Sequence, residues 1–209
     1  MSCKISAFSF SSSPDSMNTR GLKLMNNAGI GFDLLRDMGN YNMPICNSNR
    51  CDGQVPDSVR NFDDDLRVSD ILIFAIPECT GHYSGVFKNA MDWLVVKSYM
   101  NNSLGTTYGF SNKPVILMTF SPAKEAGDRH FNMTRELLQK MGARVIHSFV
   151  KNDCWKNLYP KNYKFVEKEC SFISSFSNQF EPYEDVEVRQ WQNIDDMQRI
   201  YDNWNKQWK

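Results

Sequence analysis

The sequence predicts a three-layer α/β fold, a parallel sheet with helices on both faces, followed by an extension. Two observations carry that prediction. Five apolar runs alternate along the chain with stretches at helical spacing, as in repeated βα units. One run, Ile71 to Ile76, is uninterrupted between a polar lead-in and Pro77, as in a strand buried on both faces of a parallel sheet. Periodicity alone leaves a buried helix segment open there. Pro77 suits the end of a strand, because it has no N–H for a ladder and biases Ile76 toward extended backbone.

In chain order, Lys4 to Phe10 reads as the first strand, with Ile5, Ala7 and Phe8 apolar. It opens into Ser11-Ser12-Ser13-Pro14-Asp15-Ser16-Met17-Asn18. A helix carrying Leu22, Met25 and Ala28 follows, with Gly29 where it ends. Ile30 to Leu35 is the second strand. Asp37 to Pro56, rich in Asn, Gly and Pro, reads as loop, and Ser58 to Leu66 as a short helix. After Pro77, a loop with Gly81 and Gly85 leads into a helix. Val86, Ala90 and Leu94 form one row on it, and Phe87, Met91 and Val95 the next. Asn101 to Asn112 is polar, without periodicity, and long for a loop inside a compact domain. Lys113 to Phe120 is the fourth strand, Arg129 to Met141 a helix closed by Gly142, and Ala143 to Val150 the fifth strand.

Lys164 to Phe180 sets Val166, Cys170, Ile173, Phe176 and Phe180 on one face of a further helix. Beyond Pro182, Asp185 to Trp191 alternates like a short strand. Asn193 can cap a last helix, with Asp195 and Asp196 in its first turn and Lys206 near its end. Its stripe of Ile194, Met197, Tyr201, Trp204 and Trp208 either packs on its own domain or forms a subunit interface. The expected division is residues 1–180 as one domain and 181–209 as the extension.

Lysine plus arginine and aspartate plus glutamate each number 24, so the formal net charge is zero. No basic field argues for nucleic acid, and no acidic field for docking to a basic partner. Cys3, Cys46, Cys51, Cys79, Cys154 and Cys170 include no C-x-x-C pair and read as reduced thiols. Cys46 and Cys51 can pair only in an oxidising compartment. The chain starts directly into a strand without an apolar leader, and no run reaches membrane-spanning length. The expected setting is therefore soluble and cytoplasmic, with neither membrane nor nucleic acid as partner.

Three loops lie at carboxyl ends of strands: Phe10 to Asn18, Pro77 to Gly85, and Ser121 to Arg129. In a doubly wound sheet of order 2-1-3-4-5 the first and third strands meet at the switch point, so these loops converge on one ligand crevice. The first offers the hydroxyls of Ser11, Ser12, Ser13 and Ser16, the Asn18 amide and the free N–H groups of a helix start. Together these can hold a phosphate dianion without a lysine. Taken alone, the simpler explanation is a serine-rich turn with Ser16 as N-cap. The loop has no glycine and no G-x-x-x-x-G-K-[ST], which argues against nucleotide triphosphate hydrolysis. In the second loop, Pro77-Glu78-Cys79-Thr80-Gly81-His82 leaves main-chain groups free to contact a flat heteroaromatic ring. Cys79 with His82 as its base lacks a third orienting group, so no catalytic residue is assigned. His130 and His147 belong to no metal-ligand spacing, so no metal is expected.

Pro77-Glu78-x-x-Gly81-x-x-x-Gly85-Val86-x-Lys88-Asn89-Ala90-x-Asp92-Trp93 resembles the signature of the NADPH-dependent FMN reductase family, flavoproteins of flavodoxin-like fold. Ser11-x-Ser13-x-x-Ser16-x-Asn18 is similar to that family's phosphate loop. Asn112-Lys113-Pro114-Val115, with Ser121, Gly127 and the helix to Met141-Gly142-Ala143, resembles its fourth βα unit. The resemblance runs over roughly residues 3 to 150. It implies a five-stranded parallel sheet of order 2-1-3-4-5 and a bound FMN. The phosphate is expected on Ser11, Ser13, Ser16, Met17 and Asn18. The isoalloxazine is expected between Pro77, Glu78, Cys79, Thr80 and Gly81 on one side and Ser121, Pro122 and Ala123 on the other. Lys88, Asn89 and Asp92 would hold the loop and helix start, or an interface. The chain departs from the family where Phe10-Ser11-Ser12-Ser13 replaces Gly-Ser-x-Arg, losing a glycine and a phosphate-binding arginine, and where Cys79-Thr80 replaces Tyr-Asn.

The activity so implied is transfer of hydride from NADPH or NADH to FMN, and of electrons onward to a small acceptor such as a quinone, azo compound or flavin. No protein acid or base is required. A homodimer or homotetramer is expected. Two other readings compete. One is a flavodoxin-like electron carrier, against which the balanced charge argues. The other is a flavodoxin-fold binding protein that has lost the cofactor, kept open by the missing arginine and the Trp-bearing tail.

Overall fold

The computed structural model describes residues 3–47, 55–100 and 108–180. The expected strand at Asp185 to Trp191, the last helix and the extension lie outside the described residues. The strands are β1 (Ile5–Ser9), β2 (Leu34–Asp37), β3 (Ile71–Ala75), β4 (Glu78–Cys79), β5 (His82–Tyr83), β6 (Pro114–Phe120) and β7 (Arg144–Lys151). The helices are α1 (Met17–Met25), α2 (Asp57–Arg67), α3 (Gly85–Met100), α4 (Phe131–Lys140), α5 (Cys154–Asn157) and α6 (Glu167–Gln179).

The main sheet has the order β2-β1-β3-β6-β7, every neighbouring pair parallel. With the small β4–β5 hairpin set aside, this is the order 2-1-3-4-5 of a flavodoxin-like fold. Every residue of β1, β3 and β6 is buried, because helices cover both faces of the sheet. Successive side chains point to opposite faces, which splits the core in two. Phe8, Leu72, Phe74, Val115 and Leu117 pack with Phe62 and Leu66 of α2, Phe87 and Met91 of α3, and Leu138 of α4. Ala7, Ile71, Ile73, Ile116 and Met118 pack with Leu22 and Met25 of α1 and Ile173 of α6.

The second strand begins at Leu34, four residues later than the sequence predicts. The reason is a wide π turn, Asn26–Ile30, appended to α1, with Gly29 at φ 114° and Gly31 at φ 65°. The Asn26 side chain accepts the Phe32 N–H at 2.8 Å. The Asp33 carboxylate accepts the Ile5 N–H at 2.8 Å before the ladder starts with Ser6 opposite Leu34. These left-handed turns use up the segment that looked like strand.

The signature residues on α3 hold the segment before residue 48. Trp93 Nε1–H and Asn89 Nδ2–H both donate to the Pro44 carbonyl, at 2.7 and 3.0 Å, and Asn89 Oδ1 accepts the Cys46 N–H at 2.7 Å. Lys88 pairs with Asp92 one turn along the helix. The expected helix at Lys164 starts as a 3₁₀ turn, Tyr163–Val166, before α6. The buried Glu169 of α6 binds Lys151 of β7 at 3.2 Å. Among the described residues no helix is long and apolar enough to cross a membrane.

Candidate functional site

The carboxyl ends of β1, β3 and β6 reach one edge of the sheet, where strand order reverses between β1 and β3. The ladder continues one residue past each strand. Phe10 N–H donates to Ala75 C=O, Ile76 N–H to Met118 C=O and Ser121 N–H to Lys151 C=O, each at 2.8 Å. The three loops singled out in the sequence thus leave the sheet at a common level.

In the first loop, Phe10 occupies the position of the missing glycine. Its ring is fully buried against Phe62, Phe74 and Phe87, with centroids 6.2, 5.0 and 5.1 Å away. The extra bulk therefore goes into the core. The Phe10 carbonyl accepts Ser84 Oγ–H at 2.6 Å, and Ser84 Oγ accepts the Phe87 N–H at 3.2 Å, fastening this loop to the start of α3. Ser16 is the N-cap of α1, its Oγ accepting the Thr19 N–H at 3.1 Å. The buried Ser11 hydroxyl accepts the Ser13 N–H at 3.2 Å, while Ser13 itself is exposed. Met17 packs partly against the α1-side core. Asn18 is buried, and its Oδ1 accepts the Phe120 N–H at 3.1 Å, bracing the loop on the end of β6. Among the described residues, the N–H groups of Ser12, Met17 and Asn18 find no acceptor. Free N–H groups at the positive end of a helix form an anion site.

The second loop, read from the sequence simply as a short loop, is a hairpin. β4 and β5 pair antiparallel, Glu78 opposite Tyr83 and Cys79 opposite His82. Thr80 and Gly81 turn between them at φ 52° and 79°, the positive angles of a type I′ turn. Pro77, Glu78 and Gly81 are half-buried, and Cys79, Thr80 and His82 exposed. The Glu78 carboxylate crosses to the third loop, where Oε2 accepts the Gly127 N–H at 2.7 Å.

In the third loop Ser121 is buried, and its Oγ accepts the Ala123 N–H at 3.2 Å. Pro122 and Ala123 are exposed. The Ser121 and Ala123 carbonyls accept the Cys154 and Asp153 N–H groups at 3.0 and 2.9 Å, which ties this loop to the one after β7.

Sequence reasoning assigned no role to His130, which is fully buried beneath two of these loops. Its Nε2 lies 3.0 Å from Thr119 Oγ1 and its Nδ1 2.9 Å from Thr134 Oγ1. The Thr119 hydroxyl proton goes to the Ile76 carbonyl at 2.6 Å, so its oxygen accepts from Nε2–H. The neutral ring then accepts from Thr134 at Nδ1. Burial holds the His130 pKa below the ordinary histidine value, against the pull of the Glu78 and Asp128 carboxylates. This chain braces the last carbonyl before Pro77. Its one trace in the sequence is Thr119, the only hydroxyl residue in the apolar run of β6. Among the described residues no three His, Cys, Asp or Glu side chains gather where they could hold a metal ion.

This edge of the sheet therefore combines N–H groups without an acceptor in the first loop with a hairpin and a third loop joined through Glu78 and Gly127. A family model described as NADPH-dependent FMN reductase matches residues 3–155. Comparison with curated proteins finds none that matches. Among solved structures, FerB, a flavoenzyme NAD(P)H:(acceptor) oxidoreductase from Paracoccus denitrificans, is similar with a TM-score of 0.63 at 18% identity, over 84% of this chain and 96% of its own. The NADH:FMN oxidoreductase EMOB, in its apo form, gives 0.61 at 16% identity, over 87% and 92%. An NAD(P)H:quinone oxidoreductase from Methanothermobacter marburgensis gives 0.58 at 13%, over 89% and 100%. At these identities the structural likeness speaks for the fold. The family match, which spans most of the chain, speaks for the chemistry. The chain belongs to the NADPH-dependent FMN reductase family and is an oxidoreductase with FMN as cofactor and NADPH or NADH as electron donor.

Proposed function

We propose that this protein passes reducing equivalents from a nicotinamide to a small flat acceptor, of the quinone or azo class, taken into the crevice at the β1/β3 switch point. The observation that carries the reading is that three loops leave the sheet together at the switch point and are tied to its strands and to one another, with N–H groups of the first left without an acceptor. The donor set fits FMN. The N–H groups of Ser12, Met17 and Asn18, with the hydroxyls of Ser11, Ser13 and Ser16, would hold the phosphate. The isoalloxazine would lie between Pro77, Glu78, Cys79, Thr80 and Gly81 and the wall of Ser121, Pro122 and Ala123. When bound, FMN supplies the two-electron chemistry, taking hydride from the nicotinamide and returning electrons to the acceptor.

The chain's own part is positioning. Asn18 and Glu78 tie the loops together, and the Thr134–His130–Thr119 chain fixes the carbonyl in front of Pro77. Cysteine chemistry has little support. Burial pushes the Cys3, Cys154 and Cys170 thiols up to about 11, so they stay protonated. On this reading residues 1–180 form the flavin domain and 181–209 an extension. The protein works in the cytoplasm as a homodimer or homotetramer, a state in which the Trp-bearing stripe would serve as the subunit interface.

The test is the absorbance of purified protein with FMN, under anaerobic conditions. Protein-bound yellow bleached by NADPH or NADH, and restored by a quinone or azo dye, is the expected result. Yellow that neither nicotinamide bleaches points to an electron carrier. Protein that ignores FMN ends the reading.

A further inference from the structure

A phosphate monoester carries close to two negative charges at neutral pH. Between Ser11 and Asn18 the phosphate loop has one ionisable side chain, and it is another anion, Asp15. Asp15 sits in left-handed backbone, φ 57°, which aspartate tolerates better than most residues. Its carboxylate is gripped from α1. Arg20 donates from Nε at 3.1 Å and from Nη2 at 2.7 Å to the same oxygen, Oδ2. Lys23 Nζ stands 4.0 Å from the other oxygen.

Two cations therefore share one carboxylate at the start of α1, and one positive charge is left over. Both partners of the Arg20–Asp15 pair are more than half exposed, 55% and 59%, and such a pair adds little to folding. Because both bonds leave from Nε and Nη2, the far edge of the guanidinium remains available. Among the described residues its Nη1 has no acceptor.

We propose that Arg20 is the phosphate-binding cation of this flavin site, in place of the arginine that Ser13 lacks, and that Asp15 positions it. The inference rests on the reading of the loop as an FMN phosphate site. Arg20 offers its free edge to a phosphate oxygen, and the Ser12, Met17 and Asn18 N–H groups take the rest of the anion. Asp15 fixes the guanidinium beside those groups without cancelling the surplus charge. Riboflavin, the same ring system without the phosphate, has nothing for Arg20 to hold.

The experiment titrates the full chain with FMN and with riboflavin, following flavin fluorescence, at low and moderate salt. Arg20→Ala is expected to lose about tenfold in FMN affinity, the lower end for a charge-assisted bond, with riboflavin binding unchanged. Its FMN binding should also depend less on salt. Arg20→Lys restores part of the loss, since charge returns without the fork. Lys23→Ala, a turn further from the helix start, stays within about threefold of the parent. Arg20→Ala binding FMN like the parent, or losing FMN and riboflavin alike, overturns the role of Arg20 and leaves the flavin site standing. A parent that binds neither flavin overturns the site as well.

Discussion

The Glu78 carboxylate accepts the Gly127 N–H at 2.7 Å, closing the hairpin after β3 onto the loop after β6. Gly127 stands at φ 103°, and a Cβ there would come within 2.9 Å of Thr119 Cγ2, so glycine lets the loop approach this closely. A hydrogen bond to a half-buried carboxylate is worth about 1.5 kcal/mol, the low end for charged acceptors. Glu78→Ala is therefore expected to lose about 1–2 kcal/mol in urea unfolding and to weaken FMN binding several-fold. Glu78→Gln, which keeps an acceptor, should retain most of both. If Glu78→Ala unfolds and binds FMN as the parent does, the two loops hold their places without this bond.

Acid should loosen the same region through His130. Burial holds its pKa below the ordinary value in the native state, whereas the unfolded chain titrates near about 6.5. Below that pH the unfolded state binds a proton that the native state refuses. Stability therefore falls as pH drops through about 6.5 toward the native pKa, and this contribution is level above that window. His130→Gln, which can still donate to Thr119, is expected to be less stable than the parent at pH 7.5. The gap should narrow toward pH 5. Thermal melts of both proteins across that range decide the matter, and a gap that stays constant would contradict the linkage.

Thr80 holds φ 52° at the hairpin turn, where a β-branched residue is strained. Left-handed backbone costs an L-residue roughly 1–2 kcal/mol, and Asn-Gly is the pair that a type I′ turn prefers. Thr80→Asn is expected to stabilise by about 0.5–1 kcal/mol, even with the loss of the Thr80 Oγ1–H bond to the Cys79 carbonyl at 2.7 Å. Differential scanning calorimetry should show the melting temperature rising by about 1–4 °C. A fall would mean that the turn is not strained at this residue.

Gly21 lies inside α1, where helix propensity alone favours alanine by about 1 kcal/mol. The tertiary structure reverses the sign. A Cβ at Gly21 would stand 2.4 Å from Cε1 and Cζ of Phe120, whose ring is buried. Gly21→Ala is expected to destabilise by about 1–3 kcal/mol, the usual range for overpacking. Denaturant midpoints measure this directly, and a more stable variant would show that the Phe120 ring gives way.

The boundaries that sequence reasoning missed share a cause. Ile30 to Leu35 looked like strand by composition, but Gly29 and Gly31 in left-handed backbone delay the ladder to Leu34. Pro77 to Gly85 looked like loop, but Thr80 and Gly81 close it as a hairpin without the Asn-Gly that usually marks one. In both places backbone dihedrals decide, and a residue's identity only biases them.

By itself the sequence determined which segments are central strands, where they end and that three polar loops follow them. Apolar runs without alternation are satisfied only where both faces are covered, and that requirement is local enough to read residue by residue. The tertiary structure alone decided what each polar or bulky side chain at the crevice is for. It sends the Phe10 ring into the core, spends Asn18 Oδ1 on Phe120, and sets His130 between two threonines. Asn18 and Phe120 are 102 positions apart, and Glu78 and Gly127 are 49. Partners that distant meet only when the sheet has formed, so no local period in the chain records them.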